Sequence, residues 1–385
     1  MASSAVGHGA DALTYYNYGP YYANHCEPCS QVHNLFSTLQ QVNYAIGDIE
    51  DELLKSRPIP AKTAILWSAT ADIWSQLDSS LHLGGKERMY LYLMLRHLGY
   101  PVDFVCEDDV LEGRLTGYDT LLVTGVHLHR DVTGPIEKWV KSGGHLYLAP
   151  NAAAFDEENR PCDLASLHDV HRGLFTVQQP FDAVDYVMLP HLKSLGTVDL
   201  AGKPAQMLCG KQSFTNGPGL KVRLTDGDGQ PALVQQTSGK GTITAAGFFL
   251  GMSYLQPAVQ EQSPKYDFAK SDPLNPTFYS PTQYPAEIRN VLGNLLQDAG
   301  SFPPIRSSAP LVEVSLLESD TATLVVLSNW SGKSLSNVSL VLPVSLEGRQ
   351  PRSALKTPLS LSTTEGQPTV TLDLGPFDFL VFPKR

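Results

Sequence analysis

Between Thr63 and Pro150 the chain repeats one pattern: a short run of apolar and β-branched residues, a helical stretch, then another short run. "TAILWS" (Thr63 to Ser68) precedes "KERMYLYLMLRHLGY" (Lys86 to Tyr100), which Gly99 ends and Pro101 stops, and "VDFVC" (Val102 to Cys106) follows. "YDTLLVTG" (Tyr118 to Gly125), "GPIEKWVKSGG" (Gly134 to Gly144) and "HLYLAP" (His145 to Pro150) repeat the unit. Apolar strands separated by single helices call for a parallel sheet covered on both faces and joined by right-handed crossovers. The pattern predicts a flavodoxin-like, doubly wound α/β domain over residues 61–305.

The rest of that span is less regular. "PALVQQTSGKGTITAAGFF" (Pro231 to Phe249) reads as a hairpin turning at Ser238 to Gly241, and "PAEIRNVLGNLLQDAG" (Pro285 to Gly300) as a closing helix. The Pro-rich stretch from Leu255 to Pro285 lies between them and reads as an arm or lid. Residues 306–385 carry only strand signals, "LVEVSLLES", "ATLVVLSNWS", "NVSLVLPVS" and "TVTLDLGPFDFLVF", which predict a small antiparallel β-sandwich.

Residues 1–60 form a third segment. "ALTYYNY" reads as a strand, and Val32, Leu35, Phe36, Leu39, Val42, Ile46, Ile49 and Leu53 recur at helical spacing through a helix from Gln31 to Lys55. A helix with one apolar stripe must lie against something.

Composition excludes several functions. A net charge of −11 without any Lys/Arg cluster argues against nucleic acid. No apolar run reaches the roughly 20 residues of a membrane span, and "MASSAVGHGAD" has neither a basic nor an apolar leader region, so a cytoplasmic location is expected. Five scattered cysteines predict free thiols rather than a disulfide framework.

The phrases "LRHLGYPVDFVCEDDVLEGRLTGYDTLLVTGVHLHRDVTGPIEKWVKSGGHLYLAP", "GKGTITAAGFF" and "VEVSLLESDTATLVVLSNWS" resemble the C-terminal portion of family-42 glycoside hydrolases of the β-galactosidase type. The resemblance implies a glutamine-amidotransferase-like trimerisation domain followed by a small β-domain. By the same resemblance, "DALTYYNYGPYY" and the helix after it take the place of the last strand and helix of a (β/α)₈ barrel. A full barrel needs roughly 200 residues or more, and only about sixty precede the α/β span. Retaining hydrolysis needs two carboxylates about 5 Å apart. The resemblance places those glutamates on barrel strands four and seven, so no catalytic residue is carried over.

Four constellations remain. Tyr16, Asn17 and Tyr18 suit a sugar platform at a barrel mouth, or pack plainly on the following helix or a partner chain. Cys26, Cys29 and His33 have soft donors at a spacing that suits zinc or a redox pair, or are ordinary loop residues. His127, His129 and Asp131 follow a parallel strand at the edge where doubly wound sheets bind ligands, and the extended spacing puts both imidazoles on one side, which suits a metal or an acid/base pair, or they are simply polar residues at a strand end. His168 and His171, near Asp163 and Asp169, form a second such cluster. The amidotransferase nucleophile is missing, because no G-x-S-x-G or G-x-C-x-G occurs.

The expectation is a non-catalytic assembly part with no cofactor, forming a homo-oligomer, a trimer by the resemblance, or joining a barrel-containing chain, with carbohydrate as the ligand class. The competing readings are half of a split glycoside hydrolase acting on β-galactosides, and a stand-alone α/β domain using His127, His129 and Asp131.

Overall fold

The computed structural model describes residues 1–14, 35–77, 82–177, 192–200, 202–215, 217–260 and 281–384. In chain order its main elements are helices α1 (Ala2–Gly7) and α2 (Leu35–Asp48); strand β1 (Thr63–Trp67); helices α3 (Ala69–Ser75) and α4 (His82–His97); strands β2 (Val102–Cys106) and β3 (Thr120–Val123); helix α5 (Thr133–Lys141); and strand β4 (His145–Leu148). Strands β5 (Lys221–Thr225), β6 (Pro231–Ser238) and β7 (Gly241–Ala246) precede helices α6 (Leu250–Gln260) and α7 (Ala286–Asp298). The C-terminal strands are β8 (Val312–Glu318), β9 (Ala322–Asn329), β10 (Leu335–Val341), β11 (Gln367–Leu374) and β12 (Phe377–Pro383).

Seven strands form one sheet in the order β5-β6-β7-β4-β3-β1-β2. From β7 to β2 every pairing is parallel, while β5 and β6 extend the sheet as antiparallel strands. The short strands form where the sequence pattern expects them because Ala64, Ile65, Leu66, Leu121, Leu122, Leu146 and Leu148 are all buried. Burying each such side chain contributes roughly 1.5–3 kcal/mol, which outweighs weak local propensity. The predicted hairpin is present, with Ser238 opposite Gly241 and Gly239 supplying the positive φ of 62° at its turn.

The C-terminal strands make two antiparallel sheets that share one core. Val314, Leu316, Val325, Leu327 and Leu380 of the five-stranded sheet meet Val338, Leu340, Val370 and Leu372 of the four-stranded sheet. The alternate residues of the five-stranded sheet point the other way. Leu317, Leu324, Val326, Phe379 and Val381 pack with Val6 of α1 and with Val42, Ala45 and Ile49 at the end of α2. The apolar stripe of α2 therefore finds its partner on the C-terminal sheet, and the two-residue strand Arg57–Pro58 pairs with β8 to extend that sheet.

Four sequence readings need correction. The helix expected from Gln31 to Lys55 breaks at Ile49, where φ is −120°, and a second short helix covers Glu50–Leu53. Helix α4 is already present at His82, four residues before the expected Lys86, and includes Gly84 and Gly85. The connection expected from Leu255 begins after α6, since burial of Leu255, Ala258 and Val259 holds the helix together through Pro257. Residues Ala12–Thr14 form no strand, and the remainder of "ALTYYNY" lies outside the described residues.

Candidate functional site

In open parallel sheets ligands bind outside the carboxyl ends of the strands where the strand order reverses. Here the reversal falls between β1 and β3, since the chain leaves β1 for β2 on one side and returns to β3 on the other. Ser68 follows β1 and caps α3, its hydroxyl accepting from Ala71 N at 2.9 Å. The same hydroxyl lies 2.9 Å from Glu107 Oε1 and 3.2 Å from the His127 carbonyl.

Glu107, the first residue after β2, organises this edge. Its carboxylate accepts from Thr70 N and Oγ1 at 3.3 and 3.1 Å and from His129 N at 2.8 Å. A carboxylate held by several internal donors stays in place and stays occupied. Sequence reasoning did not single out Glu107, although its position directly after a parallel strand was a usable signal.

His127 is buried, and its ring stacks on Trp74 with centroids 4.8 Å apart and planes inclined by 8°. Nε2 donates to Asn159 Oδ1 at 2.9 Å, which leaves Nδ1 as the bare ring nitrogen, buried and without a partner among the described residues. Burial lowers the His127 pKa, and the Asn159 bond opposes that only in part. His129 is half-buried; its Nδ1 accepts from Asp131 N at 3.3 Å and lies 3.8 Å from the Asp131 carboxylate. The two imidazoles therefore serve different surroundings: one is part of an aromatic stack, the other ties its own turn.

Close packing shapes the edge further. A Cβ on Gly125 would lie 2.5 Å from Ala71 Cβ, and one on Gly84 would lie 2.5 Å from the Thr124 carbonyl. The α3 and α4 amino ends thus sit directly on the β3 loop, where a ligand would otherwise enter. Among the described residues no group of three or more His, Cys, Asp or Glu side chains is arranged to hold a metal ion.

The other predicted residues are dispersed or lie elsewhere. His168 is buried, with Nδ1 2.7 Å from Ser238 Oγ, while Asp163 pairs with Arg172. Tyr16, Asn17 and Tyr18, and the thiol group Cys26, Cys29 and His33, lie outside the described residues. Cys106, Cys162 and Cys209 are free thiols, and among the described residues no helix is long and apolar enough to cross a membrane.

This architecture, a mixed parallel sheet joined to two antiparallel sheets, is that of a portion of GH42 beta-galactosidases. A beta-galactosidase from Bacillus circulans sp. alkalophilus superposes with a TM-score of 0.62 at 13% identity, covering 91% of this chain and 46% of that one. The cold-adapted enzyme from Rahnella sp. R3 gives 0.61 at 14% identity, with 92% and 45% covered. A catalytic mutant of Gan42B, a GH42 beta-galactosidase from G. stearothermophilus, gives 0.60 at 12% identity, with 100% and 50% covered. The chain thus spans half or less of the length of these enzymes, and at such identities the likeness is one of fold. No protein-family model matches the sequence, and no curated protein does.

Proposed function

We propose that the chain is a non-catalytic assembly part of a β-galactosidase-like glycoside hydrolase. The observation that carries this reading is the coverage: the fold match takes in most of this chain and only about half of each beta-galactosidase. The parallel strands, counted in chain order, lie 2-1-3-4-5 across the sheet, which supports a flavodoxin-like and hence amidotransferase-like domain. The shared core of the two C-terminal sheets supports a small β-sandwich.

The occupied sheet edge also favours assembly over catalysis. Glu107 spends its carboxylate on Ser68, Thr70 and the His129 backbone, and Gly84 and Gly125 are overlaid by neighbouring backbone and Ala71. Catalysis would then belong to a barrel, with the α/β unit making subunit contacts in a homo-oligomer.

Two measurements test this. The purified chain should cleave no aryl-β-galactoside, and it should be larger than a monomer by light scattering at micromolar concentration. Activity that persists after host hydrolases are removed would overturn the non-catalytic reading, and a monomer would overturn the assembly role. Activity appearing only on mixing with a barrel-bearing chain would establish the split-enzyme alternative instead.

A further inference from the structure

A second polar feature lies at the opposite, amino end of the parallel sheet. Thr63, Thr120, His145 and Thr242 stand side by side on four adjacent strands, paired Thr63 with Thr120, Thr120 with His145, and His145 with Thr242. Two residues further along, Leu122, Tyr147 and Thr244 repeat the row. Because side chains alternate along a strand, both rows face the same side of the sheet. That side is covered by Leu292, Leu295 and Leu296 of α7, leaving a crevice of about 20 Å³ lined also by Thr120, His145, Tyr147 and Thr244.

Apolar strands covered by leucines have no packing reason to carry such a row. Thr120 is 4% exposed and Tyr147 is 4% exposed, yet Thr120 Oγ1 and Tyr147 Oη meet no partner among the described residues. An unpaired buried hydroxyl costs roughly as much as a lost hydrogen bond, so two in one crevice identify a place where something polar binds. His145 cannot rotate to serve either one, since its Nδ1 is committed to Thr242 Oγ1. Thr244 Oγ1 has only a long contact of 3.4 Å from Gln235 Nε2 and keeps acceptor capacity.

We propose that this crevice is a binding site for a single ordered water molecule, held by Thr120 Oγ1, Tyr147 Oη and Thr244 Oγ1 between β3, β4, β7 and helix α7. The volume is enough for a water molecule, and buried waters typically make about three hydrogen bonds. Leu292, Leu295 and Leu296 supply no polar atom, so the water bonds to the sheet and the helix closes over it. The molecule would join three neighbouring strands near the amino end of the sheet, where the turn before β7 already bonds to the α5–β4 segment through Lys240 N to Lys141 O and Thr242 N to Gly144 O.

The test is a crystal structure of the full chain at about 1.8 Å or better, together with the isosteric variant Thr120→Val. The expected result is a density peak within about 3.2 Å of both Thr120 Oγ1 and Tyr147 Oη. The variant should lose that peak and show a Tm lower by about 2 °C, because the water loses a partner while the shape is kept. An empty crevice in the parent structure overturns the proposal. So does a variant whose Tm rises, which is the behaviour of a dry site relieved of an unpaired hydroxyl. Tyr147→Phe serves as the second variant if Thr120→Val fails to fold, with the same two readouts.

Discussion

Arg96 of α4 donates through Nη2 to Glu313 of β8 at 3.0 Å, across 217 positions of sequence, and both side chains are at most 10% exposed. Arg96 also donates to the Tyr100 and Val314 carbonyls and to Ser315 Oγ, while Glu313 takes His8 Nε2 at 2.7 Å and Trp330 Nε1 at 2.9 Å. One carboxylate thus joins the parallel-sheet unit, the C-terminal sheet and the residue that follows α1. Arg96→Met would leave that carboxylate buried without its cation, at a cost of about 3–5 kcal/mol. Trp330→Phe removes one charge-assisted bond and costs about 1.5–3 kcal/mol. Urea unfolding should rank the two in that order, and equal losses would show that the ion pair is not the tie.

The same cluster sets an acid limb. Burial would raise the Glu313 pKa, but the His8 hydrogen bond, the Arg96 charge and the Trp330 bond outweigh it and hold the carboxyl at about 2, below its ordinary 4.5. A carboxylate depressed in the folded state adds stability above its unfolded pKa, and that stability drains away as pH falls toward the folded value. Tm should therefore drop between about pH 4.5 and 2. Glu313→Gln should start from a lower Tm at pH 6 and lose less of it on acidification.

Adjacent glycines at the start of α4 offer an internally controlled experiment. Gly84 faces the Thr124 carbonyl and Gly125 Cα, at 2.5 and 3.1 Å from a built Cβ, whereas Gly85 meets only the Arg88 guanidinium tip at 3.9 Å. Gly84→Ala must push backbone apart and should cost about 1–3 kcal/mol. Gly85→Ala should be neutral or gain up to about 1 kcal/mol of helix propensity. If both variants melt together, the close approach of α4 to β3 is not what the glycine serves.

These glycines also show why sequence patterns read some of this fold and not the rest. Strands β1, β3 and β4 were legible because burial on both faces leaves nearly unbroken apolar runs, and that signal is local, whereas the edge strand β2 exposes Asp103 and Phe104. Gly84-Gly85 looks like a helix break, since the need for a close approach to Thr124 is not written near it. "ATLVVLSN" carried an unread message: a strand buried at every position but its last must be covered on both faces, and α1 and α2 supply the second cover. At the sheet edge, His127 and His129 stood out by residue type. Their partners Trp74, Glu107 and Asn159 come from three other loops or helices and become neighbours only in the fold.

Glu107 makes a prediction of its own about that edge. Its carboxylate is the common acceptor for Ser68, Thr70 and the His129 amide. Glu107→Ala should free the His129 amide and speed its hydrogen exchange about tenfold, the effect of losing one bond of roughly 1.4 kcal/mol, with little change deep in β3. Unchanged exchange at His129 would mean that the loop is held by the His127 stack alone.

The most informative titration is that of Glu87, which lies fully inside the α4 and α6 contact and accepts from Gly251 N at 2.8 Å and Met252 N at 3.1 Å. Burial raises its pKa from 4.5 to about 8, with the backbone bonds from Gly251, Met252 and Leu250 pulling in the opposite direction. A raised carboxyl favours the protonated folded chain, so its contribution is complete below about pH 4.5 and is lost progressively up to about pH 8. The shift corresponds to a loss of roughly 5 kcal/mol across that window. Glu87→Gln keeps the shape and one acceptor but cannot ionise. Its stability at pH 5 should fall slightly below the parent's, because one of the two amide bonds is lost, whereas at pH 9 it should exceed the parent's. The two stability curves should therefore cross between those values. Parallel curves across that range would show that Glu87 stays ionised, held by the amino end of α6 despite its burial.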